Sequence, residues 1–204
     1  MEVFSYRTIQ QKSGGIYKEK GSKFLGFAFP VQSEEEVKER MHALKKEYFD
    51  ARHHCFAYIL GADKAKFRAN DDGEPNHSAG DPILGQIRSK NLTNVLVVVV
   101  RYFGGVKLGV GGLITAYKTA AEEALQHAII IEREVTSELS LRYPYTSTPE
   151  VMKLVKDFEL EIINQSFEEN CLLQARIKER LRIQFEEKYT LLNALGNNLI
   201  LTWS

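Results

Sequence analysis

The feature that most constrains the fold is an uninterrupted apolar run followed by a cluster of glycines. Residues 95–100 read Val-Leu-Val-Val-Val-Val, and such a run predicts a strand that is buried on both faces of a sheet. The glycines that follow are Gly104, Gly105, Gly109, Gly111 and Gly112. A helix is predicted from about residue 111 to residue 127, so the chain forms a strand, a glycine-rich loop and a helix in succession.

This loop has the features of an anion-binding site. Glycine tolerates positive φ and lets the backbone come close to a ligand, and the first turn of a helix offers unpaired N–H groups and partial positive charge. Arg101 and Lys107 add full positive charges, and Lys118 follows in the helix. The alternative is a strand-to-helix connection in which the glycines serve tight packing only, and the sequence leaves both interpretations open.

The common nucleotide-binding loops do not match this segment. A P-loop requires Gly-Lys followed by Ser or Thr, and no glycine of the loop precedes a lysine. The dinucleotide fingerprint G-x-G-x-x-G, started at Gly109, would need a glycine where Ile114 stands. Both classes of phosphate loop are therefore excluded.

Basic and aromatic residues surround the loop, a combination that holds single-stranded RNA through cations on phosphates and rings on bases. Successive side chains of a strand point to opposite faces. At most one of Tyr102 and Phe103 is therefore a stacking platform, and one of His53 and His54 faces the loop. The candidate anion- or nucleic-acid-binding residues are Arg52, His54, Arg101, Tyr102, Gly104, Gly105, Lys107, Gly109, Gly111, Gly112 and Lys118.

A second candidate is an acidic loop in which Asp71, Asp72 and Glu74 place three carboxylates within four residues. Clustered acids bind a divalent cation or act as a general base, but in turns they also cap backbone N–H groups. The spacing is not that of an EF-hand, and no Ser-His-Asp set can be assembled. We therefore assign no catalytic residue and expect no metal and no cofactor.

Charge and composition limit the possible partners. The 27 Lys and Arg residues balance 27 Asp and Glu residues, which argues against indiscriminate coating of nucleic acid, so an RNA contact must use a local patch. No apolar run is long enough to span a membrane, and the N-terminus lacks a signal-peptide pattern. Cys55 and Cys171 are far apart in the sequence and are expected to be buried, reduced thiols. These features predict a cytoplasmic protein.

The pattern of elements divides the chain into residues 1–135 and 136–204. The second part has the order βαββαβ, the ferredoxin-like arrangement, with Thr148 as a helix N-cap and Pro149 in the first helical position. Its predicted strands are residues 138–143, 160–167, 171–177 and 199–203, with a turn at 168–170 and helices starting near 149 and 181.

The first part is also a mixture of helices and strands. Ser33 and Glu36 form a capping box that opens a helix. Strands are predicted at residues 24–31, 54–60 and 95–101. Residues 62–82, rich in Asp, Gly, Asn and Pro, are predicted to be one long loop of the kind that often carries function. The predicted fold class is α+β with two domains.

The chain closely resembles the IMPACT family, in the YigZ-type bacterial branch that has two domains. The resemblance rests on motifs that lie in the family's order over about residues 20–121. These are Lys20-Gly-Ser-Lys-Phe-Leu-Gly26, Ala51-Arg-His-His-Cys-Phe-Ala-Tyr58, Asp71-Asp-Gly-Glu-Pro75, Ala79-Gly-Asp-Pro-Ile-Leu84 and Arg101-Tyr-Phe-Gly-Gly-Val-Lys-Leu-Gly109. One departure is Asn76-His77-Ser78, where the family usually reads Ser-Gly-Thr.

The resemblance implies both a fold and a function. It implies a first domain similar to the ribosomal-protein βαβ fold of elongation factor G domain IV, and a second domain similar to domain V. Eukaryotic members restrain the amino-acid-starvation kinase by competing for its ribosome-associated activator. We therefore expect an RNA- or ribosome-associated protein that regulates translation, with RNA, the ribosome or a translation-associated protein as partner, no membrane and no preference for DNA.

Two other classes of function stay open. The glycine-rich helix start and the acidic loop are also compatible with an enzyme acting on a phosphorylated small molecule or a nucleotide. The exposed face of the C-terminal sheet is compatible with a protein-interaction module that has no catalytic role.

Overall fold

The computed structural model describes residues 3–168 and 170–203. Chain contacts divide it into two compact units, one formed by Tyr6–Arg133 and the other by the described residues on either side of that range. Helices combine with antiparallel sheets in both units, which confirms the predicted α+β fold class. None of the described helices is both long and apolar enough to cross a membrane.

The larger unit is built on a five-stranded antiparallel sheet. Its elements are β1 (Ser5–Ile9), β2 (Ser13–Glu19), β3 (Ser22–Pro30), α1 (Glu34–Glu47), β4 (His53–Leu60), β5 (Lys66–Asn70), α2 (Gly80–Ser89), β6 (Val95–Tyr102), α3 (Gly109–Gln126) and β7 (Ile130–Glu134). The strand order is β2-β3-β6-β4-β5, and β1 pairs with β7 in a separate two-stranded sheet.

The apolar strand β6 lies at the centre of this sheet, between β3 and β4. All six residues from Val95 to Val100 are fully buried. Val97 and Val99 pack in the cluster that includes α2 and α3 residues, whereas Val98 and Val100 pack with α1 residues on the opposite face. The prediction of a strand buried on both faces is confirmed, because helices cover both faces of the sheet.

The capping box at the start of α1 is also confirmed. The Ser33 hydroxyl oxygen accepts a hydrogen bond from the Glu36 N–H at 3.2 Å. The Glu36 carboxylate accepts from the N–H of Gln32 at 3.0 Å, one residue earlier than in the usual reciprocal bond. Both ends of the motif therefore fix the entry of the chain into the helix.

The prediction of one long loop over residues 62–82 is wrong. The range contains the strand β5 and the first residues of α2, so the acidic loop is confined to residues 71–79. Strand β5 lies at an edge of the sheet, and Lys66, Phe67 and Arg68 are all exposed. An edge strand with little burial lacks the apolar alternation that identifies strands in a sequence.

The smaller unit has the predicted βαββαβ order. Its elements are β8 (Thr136–Pro144), α4 (Thr148–Asp157), β9 (Glu161–Ser166), β10 (Asn170–Lys178), α5 (Arg182–Ala194) and β11 (Ile200–Trp203). The antiparallel strand order β11-β8-β10-β9 places the first and third strands in the middle, as the ferredoxin-like arrangement requires. Glu169, in the predicted turn, lies outside the described residues.

The first helix of this unit begins differently from the prediction. A 3₁₀ turn over Tyr145–Ser147 precedes α4, so Ser147 is the N-cap and Thr148 is already helical. The Thr148 hydroxyl donates to the Tyr145 carbonyl at 2.6 Å. Pro149 lies in the first turn. The N–H that proline lacks would have no partner within the helix at this position.

The sheet face of this unit that points away from the buried cluster is largely polar. Gln174 pairs with Ser140, and Arg176 pairs with Glu138, whose carboxylate lies 2.9 Å from the guanidinium. The alternating partners Leu139, Leu141 and Tyr143 are buried. Ile200, paired with Arg142, adds exposed apolar surface to the same face, so a protein-interaction module there stays a prediction.

The division into two domains leads to a stability prediction. The described residues after 135 bury a hydrophobic cluster of their own, which includes Leu141, Leu173 and Phe185. We therefore expect a fragment of residues 136–204 to fold alone and to unfold cooperatively with temperature. Circular dichroism melting would check this, and a fragment without a cooperative transition would contradict the predicted boundary.

Candidate nucleic-acid interface

A cleft of about 450 Å³ opens at the start of α3. The acidic loop, the start of β4, the end of β6 and the first turns of α3 meet there. The residues that line it are Arg52, His53, Glu74, Pro75, Arg101, Phe103, Lys107, Leu108, Gly109, Val110 and Leu113. The volume lies in the range of small-molecule sites, and the lining combines basic, aromatic and aliphatic side chains.

The N-terminus of α3 contributes unpaired donors to this cleft. The helix begins at Gly109, no side chain caps it, and its first turn holds no acidic residue. The first N–H groups of a helix have no partner within the helix, and they carry partial positive charge. Gly109 has φ +73°, a conformation that favours glycine. The arrangement is typical of an anion site.

Arg101 is buried in the cleft wall. Only 6% of the residue is exposed, and its guanidinium carbon lies 5.4 Å and 5.5 Å from the ring centres of Phe24 and Phe103. Nη1 donates to Glu74 Oε1 at 2.5 Å, whereas Nε has no partner among the described residues. A buried donor without an acceptor is costly, so Arg101 depends on Glu74 for the partner that it has.

Glu74 connects the cleft to the interior of the unit. Its Oε1 also accepts a hydrogen bond from the Tyr117 hydroxyl at 2.8 Å. Burial, with neighbouring Cys55 and Glu74, raises the pKa of Tyr117, so the phenol stays a donor at neutral pH. Burial likewise raises the pKa of Cys55, whose thiol donates to the Asp71 carbonyl at 3.0 Å. Cys55 is therefore a buried, protonated thiol that packs in the interior at neutral pH.

The other two acidic residues of the loop cap backbone groups. Asp71 accepts from the N–H groups of His77, Ala79 and Gly80 at 2.8–3.0 Å, at the beginning of α2. Asp72 Oδ2 accepts from the His54 N–H at 2.7 Å. Among the described residues, no three metal-ligating side chains come together. Asp71 and Asp72 therefore have structural partners, and only Glu74 reaches the cleft.

Asp71 gives a prediction about acid stability. Burial raises the pKa of this carboxyl group, but hydrogen bonds from Gly80, His77 and Ala79 outweigh burial and hold the pKa below its ordinary value. The stabilisation is therefore present above the ordinary pKa of about 4 and is lost as pH falls through the lower folded value.

We expect Asp71→Asn to lower the free energy of unfolding by about 1–3 kcal/mol at pH 7, because an amide replaces one acceptor oxygen with a donor. The difference from wild type should become smaller below about pH 4. Urea unfolding at pH 7 and pH 3 measures both values. If wild type and Asp71→Asn differ in the free energy of unfolding by the same amount at pH 7 and pH 3, the stabilising role of the Asp71 carboxylate is contradicted.

Two predicted site residues, His54 and Tyr102, do not line the cleft. His54 is buried at 5% exposure, whereas His53 lines the cleft, and its Nδ1 lies 2.9 Å from the Asp72 carbonyl oxygen. Tyr102 packs against the cluster under α1, and Phe103 lines the cleft instead. Strand alternation predicts that one residue of each pair faces the loop, but it does not predict which one.

The glycines of the loop have different surroundings. A Cβ on Gly104 would lie 2.0 Å from the carbonyl carbon of Gly21, so this glycine is required for packing. Gly105 has φ +88° in the turn. Gly111 and Gly112 are in α3 without positive φ, and Gly111 has open space around it. The conformation of Gly111 therefore does not require glycine.

The two predicted lysines also have different positions. Lys107 lines the cleft beside Arg52 and Arg101. Lys118 is exposed on α3 and is not among the residues that line the cleft. The helix turns its side chain away because the neighbouring Tyr117 faces the core. The structure therefore does not bring Lys118 together with Lys107 in the cleft.

The fold defines a class of protein with two compact α+β units, one with an antiparallel five-stranded sheet and the other with ferredoxin-like topology. The model of the Impact N-terminal domain matches residues 20–125. This range contains β3 to β6, the glycine-rich loop and nearly all of α3. The chain belongs to the IMPACT family.

Bacterial relatives match over most of the chain. It is 31% identical over 188 residues to IMPACT family member YvyE of Bacillus subtilis, covering 92% of this chain and 87% of the relative. It is 31% identical over 171 residues to IMPACT family member YigZ of Escherichia coli, covering 83% and 84%. A crystal structure described as a hypothetical protein matches with a TM-score of 0.76 and 28% identity, covering 98% and 97%.

Proposed function

We propose that this chain is a cytoplasmic RNA-binding protein that acts on translation, and that the cleft at the start of α3 holds the backbone of single-stranded RNA. The observation that carries the proposal is the uncapped N-terminus of α3 in a cleft that Arg52, Arg101 and Lys107 also line. The helix start supplies N–H donors and the neighbouring side chains supply positive charge, and an anionic phosphate suits both.

The charges of the cleft support an anionic ligand. Arg52 and Lys107 line it, and neither forms an ion pair among the described residues. Glu74 is the acidic residue of the lining, and its charge is matched by Arg101 at 2.5 Å. The cleft therefore carries a positive excess although the whole chain has no net charge, as a local phosphate contact requires.

The aromatic and aliphatic residues support a nucleotide and not a bare anion. Phe103 is 51% exposed and Val110 is 52% exposed, next to Pro75 and Leu108 in the lining. An exposed ring beside cations is the usual platform for an unstacked base. The link to translation comes from the family, since the resemblance implies a function at the ribosome.

A matched pair of lysine variants tests the proposal. Lys107→Ala should weaken binding of an eight-nucleotide oligouridylate and reduce the slope of log affinity against log salt by about 0.7, the value for one lost phosphate contact on a single strand. Lys118→Ala removes the same charge from the same segment but lies outside the cleft, so it should leave both quantities unchanged. Filter binding at several salt concentrations measures them.

The same variants test the link to translation. Wild type and Lys118→Ala should co-sediment with ribosomes at low salt and be released at high salt, and Lys107→Ala should co-sediment less. Equal behaviour of all three proteins in both assays would mean that the loop serves packing only. Equally tight binding of a mononucleotide and the oligomer would instead favour an enzyme acting on a nucleotide.

A further inference from the structure

A second hollow, of about 590 Å³, lies on the opposite side of the same sheet. Its lining includes Ile16 and Lys18 of β2, Lys23 and Leu25 of β3, and the rings of Tyr48 and Tyr102. We call these six residues the β2–β3 face. Phe103 lines both this hollow and the cleft at the start of α3, so the two spaces meet at one aromatic ring.

The β2–β3 face contains a pair of opposed lysines. Lys20 and Gly21, with φ +46° and +80°, form the two-residue turn of the hairpin, and the register then places Lys18 directly opposite Lys23. Like charges in such a pair destabilise a sheet. Neither lysine forms an ion pair among the described residues, so nothing in this part of the chain offsets the repulsion.

The acidic residues near these lysines have other partners. Glu19 accepts a hydrogen bond from the Tyr17 hydroxyl at 3.0 Å, and as the residue next to Lys18 in β2 it points to the other face of the sheet. Asp50 accepts from the Tyr102 hydroxyl at 2.7 Å. A hydroxyl donor leaves the Asp50 carboxylate negative, and Glu47 lies beside Tyr48, so the positive charge that favours an anionic partner is confined to the Lys18–Lys23 pair.

Apolar and aromatic surface adjoins the lysines. Ile16 is 60% exposed and pairs with Leu25 across the hairpin. In the next row, Lys23 pairs with Tyr102 of β6, whose hydroxyl is fixed by Asp50 while the ring lines the hollow. Cations beside fixed rings suit phosphates and unstacked bases in the same way as the first cleft.

We propose that a single strand of RNA runs from the cleft over Phe103 onto the β2–β3 face, with phosphates at Lys18 and Lys23 and bases on Tyr102 and Tyr48. This inference rests on the proposed function and extends it, because it makes the binding site longer than the cleft alone. The contact with the β2–β3 face is made by nucleotides beyond those in the cleft, so it forms only when the RNA is long enough to reach that face.

The test compares a double variant, Lys18→Ala with Lys23→Ala, with a control of equal charge, Lys46→Ala with Lys118→Ala. Both control lysines are exposed and lie outside the two hollows. Binding of three- and eight-nucleotide oligouridylates is measured by fluorescence anisotropy at several salt concentrations. The Lys107→Ala variant is measured beside them.

We expect the Lys18/Lys23 variant to bind the trinucleotide as wild type does, and to bind the octanucleotide more weakly with a salt slope shallower by about 1.4, two contacts at about 0.7 each. Its melting temperature should not fall, since the substitution removes a like-charge pair. The control should match wild type for both oligomers.

The Lys18/Lys23 variant and wild type could have equal affinity for the octanucleotide while Lys107→Ala has a lower affinity. That result would overturn this inference and leave the proposed function standing. A loss of affinity that is equal for both oligomers would also overturn it, because the lysines would then act on the cleft itself. If Lys107→Ala has no effect either, the proposed function fails and the extension fails with it.

Discussion

Glu74→Ala is expected to lower the free energy of unfolding of the larger unit by about 3–5 kcal/mol, the usual cost of leaving one member of a buried ion pair alone. Arg101 and Glu74 have side chains that are only 7% and 5% exposed. Arg101 already has one donor without an acceptor, so removal of the carboxylate leaves a buried guanidinium with no partner on Nη1. Tyr117 loses its acceptor at the same time.

Two control variants separate the charge from the packing. Glu74→Gln keeps an oxygen acceptor for Tyr117 but removes the charge, so it should cost less than Glu74→Ala. The double variant Arg101→Met with Glu74→Leu removes both charges and should recover most of the loss. Thermal and urea unfolding measure all three, and a Glu74→Ala protein as stable as wild type would contradict the structure of the cleft wall.

Gly104→Ala is the second substitution with a large expected effect, and we expect a cost of at least about 3 kcal/mol. The added Cβ would lie 2.0 Å from the carbonyl carbon of Gly21 and 2.2 Å from the nitrogen of Ser22. Both atoms belong to the backbone of the β2–β3 turn, which cannot move aside as a flexible side chain does. The turn or the glycine loop must therefore shift.

The matched control is Gly111→Ala, seven residues further on. Gly111 lies in the first turn of α3, has no positive φ and has no neighbouring atom within 4 Å of an added Cβ. Alanine there should be neutral or stabilising by up to about 1 kcal/mol. Melting temperatures of the two variants measure the difference, and equal values would mean that the two glycines do not differ as described.

The parts of the fold that could be predicted from the sequence have a strong local signal. Strand β6 was identifiable because its first six residues, 95–100, are all apolar, and α1 because Ser33 and Glu36 form a capping box. The βαββαβ order of residues 136–204 followed from regular alternation and helical spacing. Strand β5 was missed because an exposed edge strand, Lys66–Asn70, carries no such pattern.

The candidate site was only partly predictable, for physical reasons. The position of the glycine loop before a helix was visible in the sequence, and so was the nearby Arg101. Its ion pair with Glu74 joins residues that are 27 positions apart, which no local pattern shows. Successive residues of a strand face opposite sides of the sheet, so only one of His53 and His54 can face the cleft. The same holds for Tyr102 and Phe103. The packing of α1 decides which residue of each pair does so.

The most direct measurement of the central claim is the response of individual N–H groups to RNA. In ¹H–¹⁵N spectra of labelled protein titrated with an eight-nucleotide oligouridylate, the backbone signals of Gly109, Gly111 and Gly112 and the Nε–H signal of Arg101 should shift together, and the same shifts should be reduced in Lys107→Ala. The amide of Lys118 should move little. Binding that shifts signals elsewhere while these four stay in place would contradict an RNA-backbone site at the start of α3.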